Sequence, residues 1–599
     1  MRISIDKQTK FAILSFLGFF FATIFLRMFT TSESMDLSMQ QGYVALMCLI
    51  FSLVSYLWNF SIKNLLLGSV VYILYALSSF VKIKTGMVLL EREIVHTLCV
   101  GVIFYSLVSL LYYFSFNIKN IFLQKCTKIM AFILLSLILL PPFFVLGYYI
   151  VSNGHLLSSD IILTLFQTNL PEIKSYLIEQ NLVYWIITLV GIIVLLSTFT
   201  YILTTFKKPD NHRKVLIFTS LFMLYLVFST FPKLTASFLL NMTNTVSETL
   251  SSFKNYNANK EVREQRLNEL KNLLTSDTDG IYVLIVGEST ARHHMSAFGY
   301  EKDTTPWLKE MAKNNKIILF PNAYSNHVHT VPCVQFALTE QNQYTKKSLE
   351  DAYSITEIAR AAGFKTYWIS NQKRFNVSDT PINTIAEATD EQIWINSYIG
   401  TKTMTTYYDE QLAEVIPDLS NIKKAFIVIH LMGTHAVYTD RYPAKYDIFE
   451  GNTTRVNSYD NAILYNDFVL SRIYDKVSAY PHFMSYVYVS DHGEDPDNGL
   501  THESSKFTYS MSYIPFIVGF SDKYVHKNQH FVNTIKNNAN KPWTSDLLYN
   551  FMVSVLNIKG APNINARLDI SSTEYNIPAL ELKTVHGQKN IADDKELRI

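Results

Sequence analysis

Seven apolar runs in the first 240 residues constrain this chain more than any other feature of its sequence. At a rise of ~1.5 Å per residue, each run is long enough to cross roughly 30 Å of hydrocarbon as a helix. The runs lie near residues 11–29, 43–60, 64–82, 94–116, 128–152, 182–206 and 214–240. We therefore predict a polytopic α-helical membrane domain over residues 1–240, with about seven spans.

The basic residues of the short loops predict the orientation of these spans, because lysine and arginine are retained on the cytoplasmic side. With the N-terminus inside, most of the basic residues fall on the same side: Arg2, Lys7, Lys10, Lys63, Lys119, Lys125, Lys128, Lys207, Lys208, Arg213 and Lys214. Seven spans from an inside start place the rest of the chain outside, which is the periplasm in a Gram-negative cell. We expect a multi-pass protein of the bacterial inner membrane, whose first run remains as an anchor because it lacks a cleavage site.

The charge of the chain excludes one class of partner. Its formal net charge is +2, and its lysines and arginines form no long stripe that could neutralise a run of phosphates. We therefore expect no binding of nucleic acid.

The sequence after residue 240 follows a different pattern. Residues 241–279 are polar and include a charged helical stretch, which predicts a linker or interfacial helix near the membrane surface. From Ile281 onward, short β-branched runs alternate with amphipathic stretches, which favours an α/β domain with a mainly parallel sheet over residues 280–599. The predicted strands are Ile281–Val286, Lys365–Ile369, Lys424–Ile429, Ser485–Val489 and Ile514–Phe520, and the predicted helices include Leu349–Ala362, Tyr459–Val477 and Ser545–Leu556.

Several of the predicted strands lead into residues that bind metals. Ligands gather at the carboxyl ends of the strands in such sheets, so chemistry is expected there. Glu288 follows the first strand, and Asp491 with His492 follows the fourth, while His435 and His502 lie on loops beyond strand ends. Carboxylates and imidazoles suit a divalent metal. Two plainer interpretations stay open here: a helix cap for Glu288 and a surface turn for Asp491 and His492.

Thr330 is the candidate nucleophile. It precedes the apolar stretch Val334–Leu338, so we predict that it begins a helix, where free amide groups and the helix dipole face an incoming phosphate. A metal-bound threonine oxygen would permit group transfer through a covalent intermediate. A helix-capping threonine is the alternative. Cys333 lies about one turn further into the helix, where we expect a packed thiol instead of a second nucleophile.

Several sequence blocks resemble the alkaline-phosphatase/sulfatase superfamily and, more narrowly, the bacterial lipid phosphoethanolamine transferases. In that family's order, the blocks include Val286-Gly287-Glu288-Ser289-Thr290-Ala291-Arg292-His293-His294-Met295, Asp303-Thr304-Thr305-Pro306, Gly433-Thr434-His435, Tyr459-Asp460-Asn461 and Ser490-Asp491-His492-Gly493-Glu494. The resemblance covers roughly residues 281–560 and implies an alkaline-phosphatase/sulfatase-like fold. Members commonly have about five membrane spans, which is the alternative to our count of seven.

The resemblance also implies a zinc-dependent reaction. The implied Zn²⁺ ligands are Glu288, Thr330, Asp491 and His492, with Thr330 as the nucleophile. His435 and His502 would hold the transferred phosphate, protonate the leaving group or bind a second zinc. The implied enzyme moves phosphoethanolamine from phosphatidylethanolamine to a lipid or glycan acceptor of the cell envelope, such as lipid A or core oligosaccharide.

One predicted external loop carries a further implication. Its sequence Gln167-Thr168-Asn169, followed by Glu172, resembles the family's periplasmic segment that approaches the active site. Asn169 and Glu172 would then hold the ammonium group of the donor. A helix start, with Asn169 as the cap and Glu172 at the third position, explains the same residues equally well.

Two departures from the family's pattern concern the soluble half. Several members carry disulfides there, whereas Cys333 is the only cysteine of this half and has no partner within it. His327 stands at the offset from Val-Pro-Cys where the better-known lipid A enzymes have their nucleophile. We choose Thr330 because histidine is not the nucleophile of this chemistry, and because its spacing to Ala337-Leu338-Thr339 matches the superfamily.

Three other functions compete with this one. A membrane sulfatase or phosphatase would use the same metal ligands, but sulfatases have Cys or Ser in a Cys/Ser-x-Pro-x-Arg context, which Thr330-Val331-Pro332-Cys333-Val334 lacks. A glycerol-phosphate transferase would share the threonine and the membrane anchor but use phosphatidylglycerol as its donor. A ligand-binding membrane sensor or transporter would be favoured by an incomplete set of metal ligands, whereas this set is complete.

Overall fold

The computed structural model of the chain describes residues 118–152, 238–270 and 280–597, with gaps at 346, 373–380, 397–406 and 451–453 and with scattered positions elsewhere. The chain divides into two compact units. One consists of Met1–Ile162 and Tyr176–Glu248, and the other consists of Leu163–Ser175 and Thr249–Ile599.

The first unit contains helix α1, Ile121–Val151, which begins earlier than the run near residues 128–152. The side chain of Asn120 caps it by accepting hydrogen bonds from the amides of Phe122 (2.9 Å) and Leu123 (3.2 Å). Among the described residues, Ile121–Ile150 is the one helical segment that is long and apolar enough to cross a membrane. The other predicted spans are not described over their length, and Asn169 and Glu172 lie outside the described residues.

The second unit contains a seven-stranded, mainly parallel sheet. The strands of the chain are β1 (Gly280–Gly287), β2 (Ile317–Leu319), β3 (Ala323–Tyr324), β4 (Lys365–Ser370), β5 (Glu391–Trp394), β6 (Lys424–His430), β7 (Phe483–Ser490), β8 (Phe516–Phe520), β9 (Trp543–Thr544), β10 (Lys583–Thr584) and β11 (Lys589–Asn590). The order across the sheet is β2-β8-β7-β1-β6-β4-β5, and only β8 runs opposite to its neighbours. Strands β3 and β9, and strands β10 and β11, form two small separate pairs.

Helices cover both faces of this sheet. The α-helices described after α1 are α2 (Phe238–Ala258), α3 (Lys260–Leu270), α4 (Pro306–Lys313), α5 (Thr330–Leu338), α6 (Ile355–Ala361), α7 (Pro381–Glu387), α8 (Glu410–Glu414), α9 (Arg455–Ser478), α10 (Asp522–Lys527), α11 (Gln529–Asn538) and α12 (Leu548–Val555). Alternate side chains of β1 enter two different cores: Leu284 packs in the core that includes α5, α6 and α12, and Val283 packs in the core that includes α9. Because both faces are buried, β1 is a continuous apolar run.

The predicted α/β domain with a mainly parallel sheet is confirmed, but two of the predicted helices become α-helical later than expected. In the predicted helix Ser545–Leu556, a 3-10 turn at Ser545–Leu547 precedes α12. Within the predicted helix Leu349–Ala362, only Ile355–Ala361 is α-helical, after a separate 3-10 turn. The side chain of Ser354 accepts from the amide of Glu357 (3.2 Å), whose carboxylate accepts from the Ser354 amide (2.8 Å). This capping box starts the helix at a fixed residue and separates it from the preceding turn.

A buried ion pair joins helix α3 to the rest of the second unit. Arg263 Nε lies 3.0 Å from Glu357 Oε1, and both side chains are buried. The Arg263 guanidinium also donates to the backbone carbonyl of Tyr256 at 2.7 Å. Helix α3, within the predicted linker 241–279, is thus part of the second unit. The boundaries of the linker at residues 241 and 279 stay a prediction.

We expect Arg263→Met to lower the free energy of unfolding by about 3–5 kcal/mol, because it leaves the carboxylate of Glu357 buried without its counter-charge. Arg266→Met is the matched control on the same helix. It removes an ion pair with Asp351 whose side chains are 49% and 48% exposed, and we expect a cost under ~1 kcal/mol. Thermal unfolding of the full chain in detergent measures both, and equal shifts in Tm would contradict the prediction.

Candidate metal centre and active site

The carboxyl ends of adjacent parallel strands bring the candidate residues together. Strands β4, β6, β1 and β7 lie side by side, so their carboxyl ends meet at one edge of the sheet. Glu288 directly follows β1, Asp491 and His492 directly follow β7, and His435 lies on the loop after β6. Thr330 is the first residue of α5, and its hydroxyl reaches Glu288.

The four candidate metal ligands lie close to one another. The Thr330 hydroxyl donates to Glu288 Oε2 at 3.1 Å and lies 3.5 Å from His492 Nε2. The same nitrogen is 3.3 Å from Glu288 Oε1 and 3.4 Å from Asp491 Oδ2. Glu288, Asp491 and His492 are buried, whereas Thr330 is partly exposed. Thr330 is therefore the member of the group that a substrate can reach from solvent.

The buried acidic groups and the histidine of this site shift one another's pKa. Burial acts to raise the pKa of Glu288, but the hydrogen bond and charge of His492 hold this pKa well below its ordinary value. Burial, followed by the charge of Glu288, raises the pKa of Asp491 well above its ordinary value. Burial acts to lower the pKa of His492, yet its hydrogen bond to Glu288 raises this pKa overall. Two carboxylates in one buried place require a shared proton or a bound cation.

The spacing of the donor atoms fits a tetrahedral metal ion. Ligands at roughly 2.0–2.1 Å from zinc lie about 3.3 Å from one another in a tetrahedron. With Oε1 as the ligand oxygen of Glu288, Thr330 Oγ1 lies 3.4 Å from Glu288 and 3.5 Å from His492 Nε2, and that nitrogen lies 3.3 Å from Glu288 and 3.4 Å from Asp491 Oδ2. Asp491 Oδ2 is buried and has no hydrogen-bond partner within the described part of the chain. His492 Nδ1 donates to the carbonyl of Gly493 at 3.0 Å, which leaves Nε2 as the ligand nitrogen. The residues therefore fit a zinc-type ion.

Two further histidines extend the group. The ring centroid of His502 lies 4.3 Å from that of His492 and 5.7 Å from that of His435. His502 Nδ1 donates to Glu494 Oε1 at 3.0 Å, and the same carboxylate accepts a hydrogen bond from Tyr438. This hydrogen bond assigns the proton to Nδ1 in the neutral ring, so Nε2 is the nitrogen that remains for a ligand or a transferred proton.

The backbone after Glu288 is held in an uncommon conformation. Ser289 has a φ of 59°, in the left-handed region that residues other than glycine rarely adopt. Its amide donates to Asp491 Oδ1 at 3.0 Å. Its carbonyl accepts from the hydroxyls of Tyr459 at 2.6 Å and Thr434 at 2.8 Å. These bonds hold the turn that directs Glu288 to its place, and strain of this kind is concentrated at functional sites.

Sequence reasoning missed two polar residues that support the site. Gln372 lies beyond β4, and its Nε2 donates to a backbone carbonyl after β6 at 2.8 Å and lies 3.5 Å from Glu288 Oε2. Asp409 is buried and accepts from the amide of Gly433 at 2.8 Å, so it positions the loop after β6. Neither is part of a metal or nucleophile motif. The one sequence signal for Gln372 is its position shortly after the end of a predicted strand.

The competing nucleophile lies out of reach of a substrate. Cys333 is fully buried within α5, and burial raises the pKa of its thiol well above the ordinary value. A protonated, enclosed thiol agrees with the packed cysteine expected from the sequence.

We expect Gly433→Ala to reduce activity by roughly 10²-fold, because a misplacement of about 1 Å at a reacting group has that effect. Gly433 has a φ of +54°, and an added Cβ would lie 2.4 Å from the backbone oxygen of Glu288, so Glu288 would have to move. Gly587→Ala is the control, since its φ is +80° and an added Cβ there meets nothing within 4 Å. Steady-state kinetics of both variants test the prediction, and an equal loss in the two would contradict it.

The sheet, with acid, histidine and threonine side chains at its strand ends, resembles the arrangement that the sequence motifs predicted, that of the alkaline-phosphatase/sulfatase superfamily. Residues 281–552 match the family model described as Sulfatase. The fold is shared with the integral membrane protein lipooligosaccharide phosphoethanolamine transferase A (EptA) from Neisseria meningitidis. That structure has a TM-score of 0.53 and 18% sequence identity and covers 80% of this chain and 91% of its own.

Two curated phosphoethanolamine transferases are similar to parts of this chain. Phosphoethanolamine transferase EptC of Escherichia coli (strain K12) is 29% identical over 461 residues, which cover 69% of this chain and 78% of that protein. Phosphoethanolamine transferase CptA of Salmonella typhimurium is 29% identical over 269 residues, which cover 42% of this chain and 46% of that protein. The resemblance to the phosphoethanolamine transferases that the sequence motifs indicate is confirmed.

Proposed function

We propose that this chain is a membrane-anchored transferase that moves phosphoethanolamine from phosphatidylethanolamine to a cell-envelope acceptor, such as lipid A or core oligosaccharide. One observation carries the proposal. The Thr330 hydroxyl begins helix α5 and lies 3.1 Å from Glu288 and 3.5 Å from His492, where a nucleophile bound to a metal is expected. The relatives named phosphoethanolamine transferases support the identity of the transferred group.

Zn²⁺ is the cofactor that this donor set favours, because imidazole and carboxylate ligands at tetrahedral spacing suit it. Glu288, Thr330, Asp491 and His492 would hold the ion. When bound, the ion supplies Lewis acidity, which stabilises the threonine oxygen as an alkoxide and offsets the charge of the phosphate.

In the first half-reaction, the oxygen of Thr330 attacks the phosphorus of the donor. A bond from Thr330 Oγ1 to phosphorus forms, and the bond from phosphorus to the glycerol oxygen breaks. In the same mechanism, Nε2 of His502 takes the proton that the Thr330 hydroxyl loses and gives it to the glycerol oxygen, so that diacylglycerol leaves; Glu494 holds the His502 ring through Nδ1. His435 and the free amides of the first turn of α5 bind the phosphate oxygens.

In the second half-reaction, the acceptor hydroxyl gives its proton to His502 and attacks the phosphorus. The new bond joins phosphoethanolamine to the acceptor, and the bond to Thr330 breaks. Because the donor's diacylglycerol leaves before the acceptor arrives, the kinetics are of the ping-pong type.

The proposal includes placement in the bacterial inner membrane, with residues 280–599 in the periplasm. The bias of lysine and arginine in the loops of residues 1–240 and the length of α1 support it. In the same arrangement, Asn169 and Glu172 of an external loop would bind the ammonium group of the donor by hydrogen bonding and charge.

A sulfatase is the second candidate, because the matching family model is described as Sulfatase. The residues around Thr330 argue against a sulfatase function. Threonine stands where sulfatases have the cysteine or serine that is matured to an aldehyde, and the arginine of that sequence is absent from Thr330–Val334.

Transfer can be tested with phosphatidylethanolamine labelled in its headgroup. Membranes that contain the wild-type chain should release diacylglycerol, and mass spectrometry should find the label on envelope lipids or glycans. Cells that carry an empty vector provide the background. Consumption of phosphatidylglycerol instead would favour glycerol-phosphate transfer, and hydrolysis of a sulfate ester would favour a sulfatase. If no acceptor gains phosphoethanolamine, the proposal fails.

A further inference from the structure

His293, His294 and Asp497 form a second group of metal-binding side chains, which shares no residue with the candidate active site. One ligand atom of each residue lies within 4.8 Å of the other two. His294 Nε2 is 3.2 Å from Asp497 Oδ2, and His293 Nε2 is 4.0 Å from the same oxygen. Three potential ligand atoms therefore converge at this place.

The imidazole of His294 is oriented by a carboxylate behind it. His294 Nδ1 lies 2.8 Å from Asp460 Oδ1, and both side chains are fully buried. The other oxygen of Asp460 accepts from the hydroxyl of Tyr300 at 3.1 Å and from the ammonium of Lys302 at 2.5 Å. Because Asp460 takes the hydrogen of Nδ1, the lone pair of Nε2 in the neutral ring faces Asp497. A carboxylate behind a histidine is the usual outer partner of a metal-ligating imidazole.

The ring of His293 completes the group. Neither of its buried ring nitrogens has a hydrogen-bond partner among the residues that the structure describes. The ring packs edge-on against His294, with centroids 4.6 Å apart, and against Tyr513 at 5.5 Å. Two imidazole nitrogens thus lie beside one carboxylate, and the repulsion between a lone pair and that carboxylate is removed when a cation lies between them.

We propose that His293, His294 and Asp497 bind a second divalent transition-metal ion of the zinc type. Two imidazoles and one carboxylate form a known zinc ligand set. The 3.2 Å separation of His294 Nε2 and Asp497 Oδ2 is close to the ~3.3 Å expected for tetrahedral ligands, whereas the 4.0 Å from His293 Nε2 to the same oxygen would have to shorten on binding. The side chain of Asp497 is 55% exposed, so water can fill the fourth position.

The role of this second ion is to join two loops of the active site. His293 and His294 follow Glu288 on the loop after β1, and Asp497 lies in a short 3-10 turn after Asp491 and β7. A metal ion between them cross-links these two loops without contacting the transferred group. The ligand set and its test are independent of the reaction proposed above.

The test is a measurement of zinc content and affinity on the full chain purified in detergent. We expect Asp497→Asn and His293→Gln each to retain one equivalent of zinc fewer than the wild type after dialysis. The affinity of this site should fall by about 100-fold or more, because loss of an outer partner alone weakens metal binding by about 10–100-fold. His530→Gln and Asp522→Asn replace exposed residues of α11 and α10 and should leave zinc content unchanged.

A second measurement separates the two metal centres. Asp491→Asn should remove zinc from the candidate active site only, and the double variant Asp491→Asn/Asp497→Asn should lose one equivalent more. Cobalt in place of zinc should give a tetrahedral visible spectrum whose amplitude falls in Asp497→Asn. Wild-type zinc content in both Asp497→Asn and His293→Gln, or equal content in the Asp491→Asn single and double variants, would overturn the proposal. If the chain has no transferase activity but retains zinc at His293, His294 and Asp497, the proposed function fails and the proposal of a second metal site is supported.

Discussion

Thr330→Ala is expected to abolish phosphoethanolamine transfer, with kcat lowered by at least about 10³-fold. In the proposed mechanism, the hydroxyl oxygen that lies 3.1 Å from Glu288 Oε2 is the atom that bonds to phosphorus, and alanine lacks it. Thr330→Ser keeps a hydroxyl at the same place and should retain measurable activity. Because Thr330 is also a proposed metal ligand, zinc content must be measured on the same preparations to separate lost chemistry from lost metal.

Detection of the covalent intermediate tests directly whether Thr330 is the nucleophile. Incubated with donor but without acceptor, the wild type should gain the mass of one phosphoethanolamine unit, and peptide mapping should place it on Thr330. Cys333→Ser is the matched control, since this thiol is fully buried in the same helix, and it should be labelled like the wild type. An active Thr330→Ala enzyme, or a label on another residue, would contradict the assignment.

Asp491→Asn should empty the candidate metal centre. The substitution keeps the shape of the side chain but removes its charge, and the affected Oδ2 has no other hydrogen-bond partner in the described part of the chain. We expect zinc affinity to fall by at least about 100-fold and transfer to become undetectable at low zinc concentration. Chelation of the wild type should cause the same loss of activity, and added zinc should restore it.

The control for this variant is another buried aspartate. Asp569 accepts hydrogen bonds from Ser554 and Ser571, and burial raises its pKa, as it does that of Asp491. Asp569→Asn should keep wild-type zinc content and activity. Equal losses in the two variants would show a general effect on folding, and unchanged zinc in Asp491→Asn would exclude this aspartate as a ligand.

Residues at the ends of buried strands were the easiest part of the site to predict. Strands β1, β6 and β7 are buried along almost their whole length, so their sequences are continuous apolar runs with clear ends. Glu288, Asp491 and His492 directly follow such runs, and Thr330 precedes an apolar helix. Residue type and position along the chain were sufficient to select these residues as candidates, while their roles as ligands and nucleophile stay predictions.

The supporting residues depend on tertiary contacts that no local pattern reports. Asp409 acts through backbone amides of a loop after β6, and Gln372 acts through one hydrogen bond to that loop. The start of α6, by contrast, depends on a local pattern. Ser354 and Glu357 form a capping box, which can be recognised in the sequence. His293 and His294 stand within a family motif, and only the structure shows Asp497 beside them.

The pairing of β1 also determines when the enzyme can become active during its synthesis. This strand takes its two neighbours from β6 and β7, and Ser289 is separated from its hydrogen-bond partner Asp491 by 202 positions. At about 5–20 residues per second, that interval lasts roughly 10–40 s. Glu288 and Thr330 are therefore made long before Asp491 and His492, the other two proposed ligands. If these four residues bind the ion as proposed, a chain that ends before Asp491 lacks two of its ligands, and the ion can be fully coordinated only after β7 has been made.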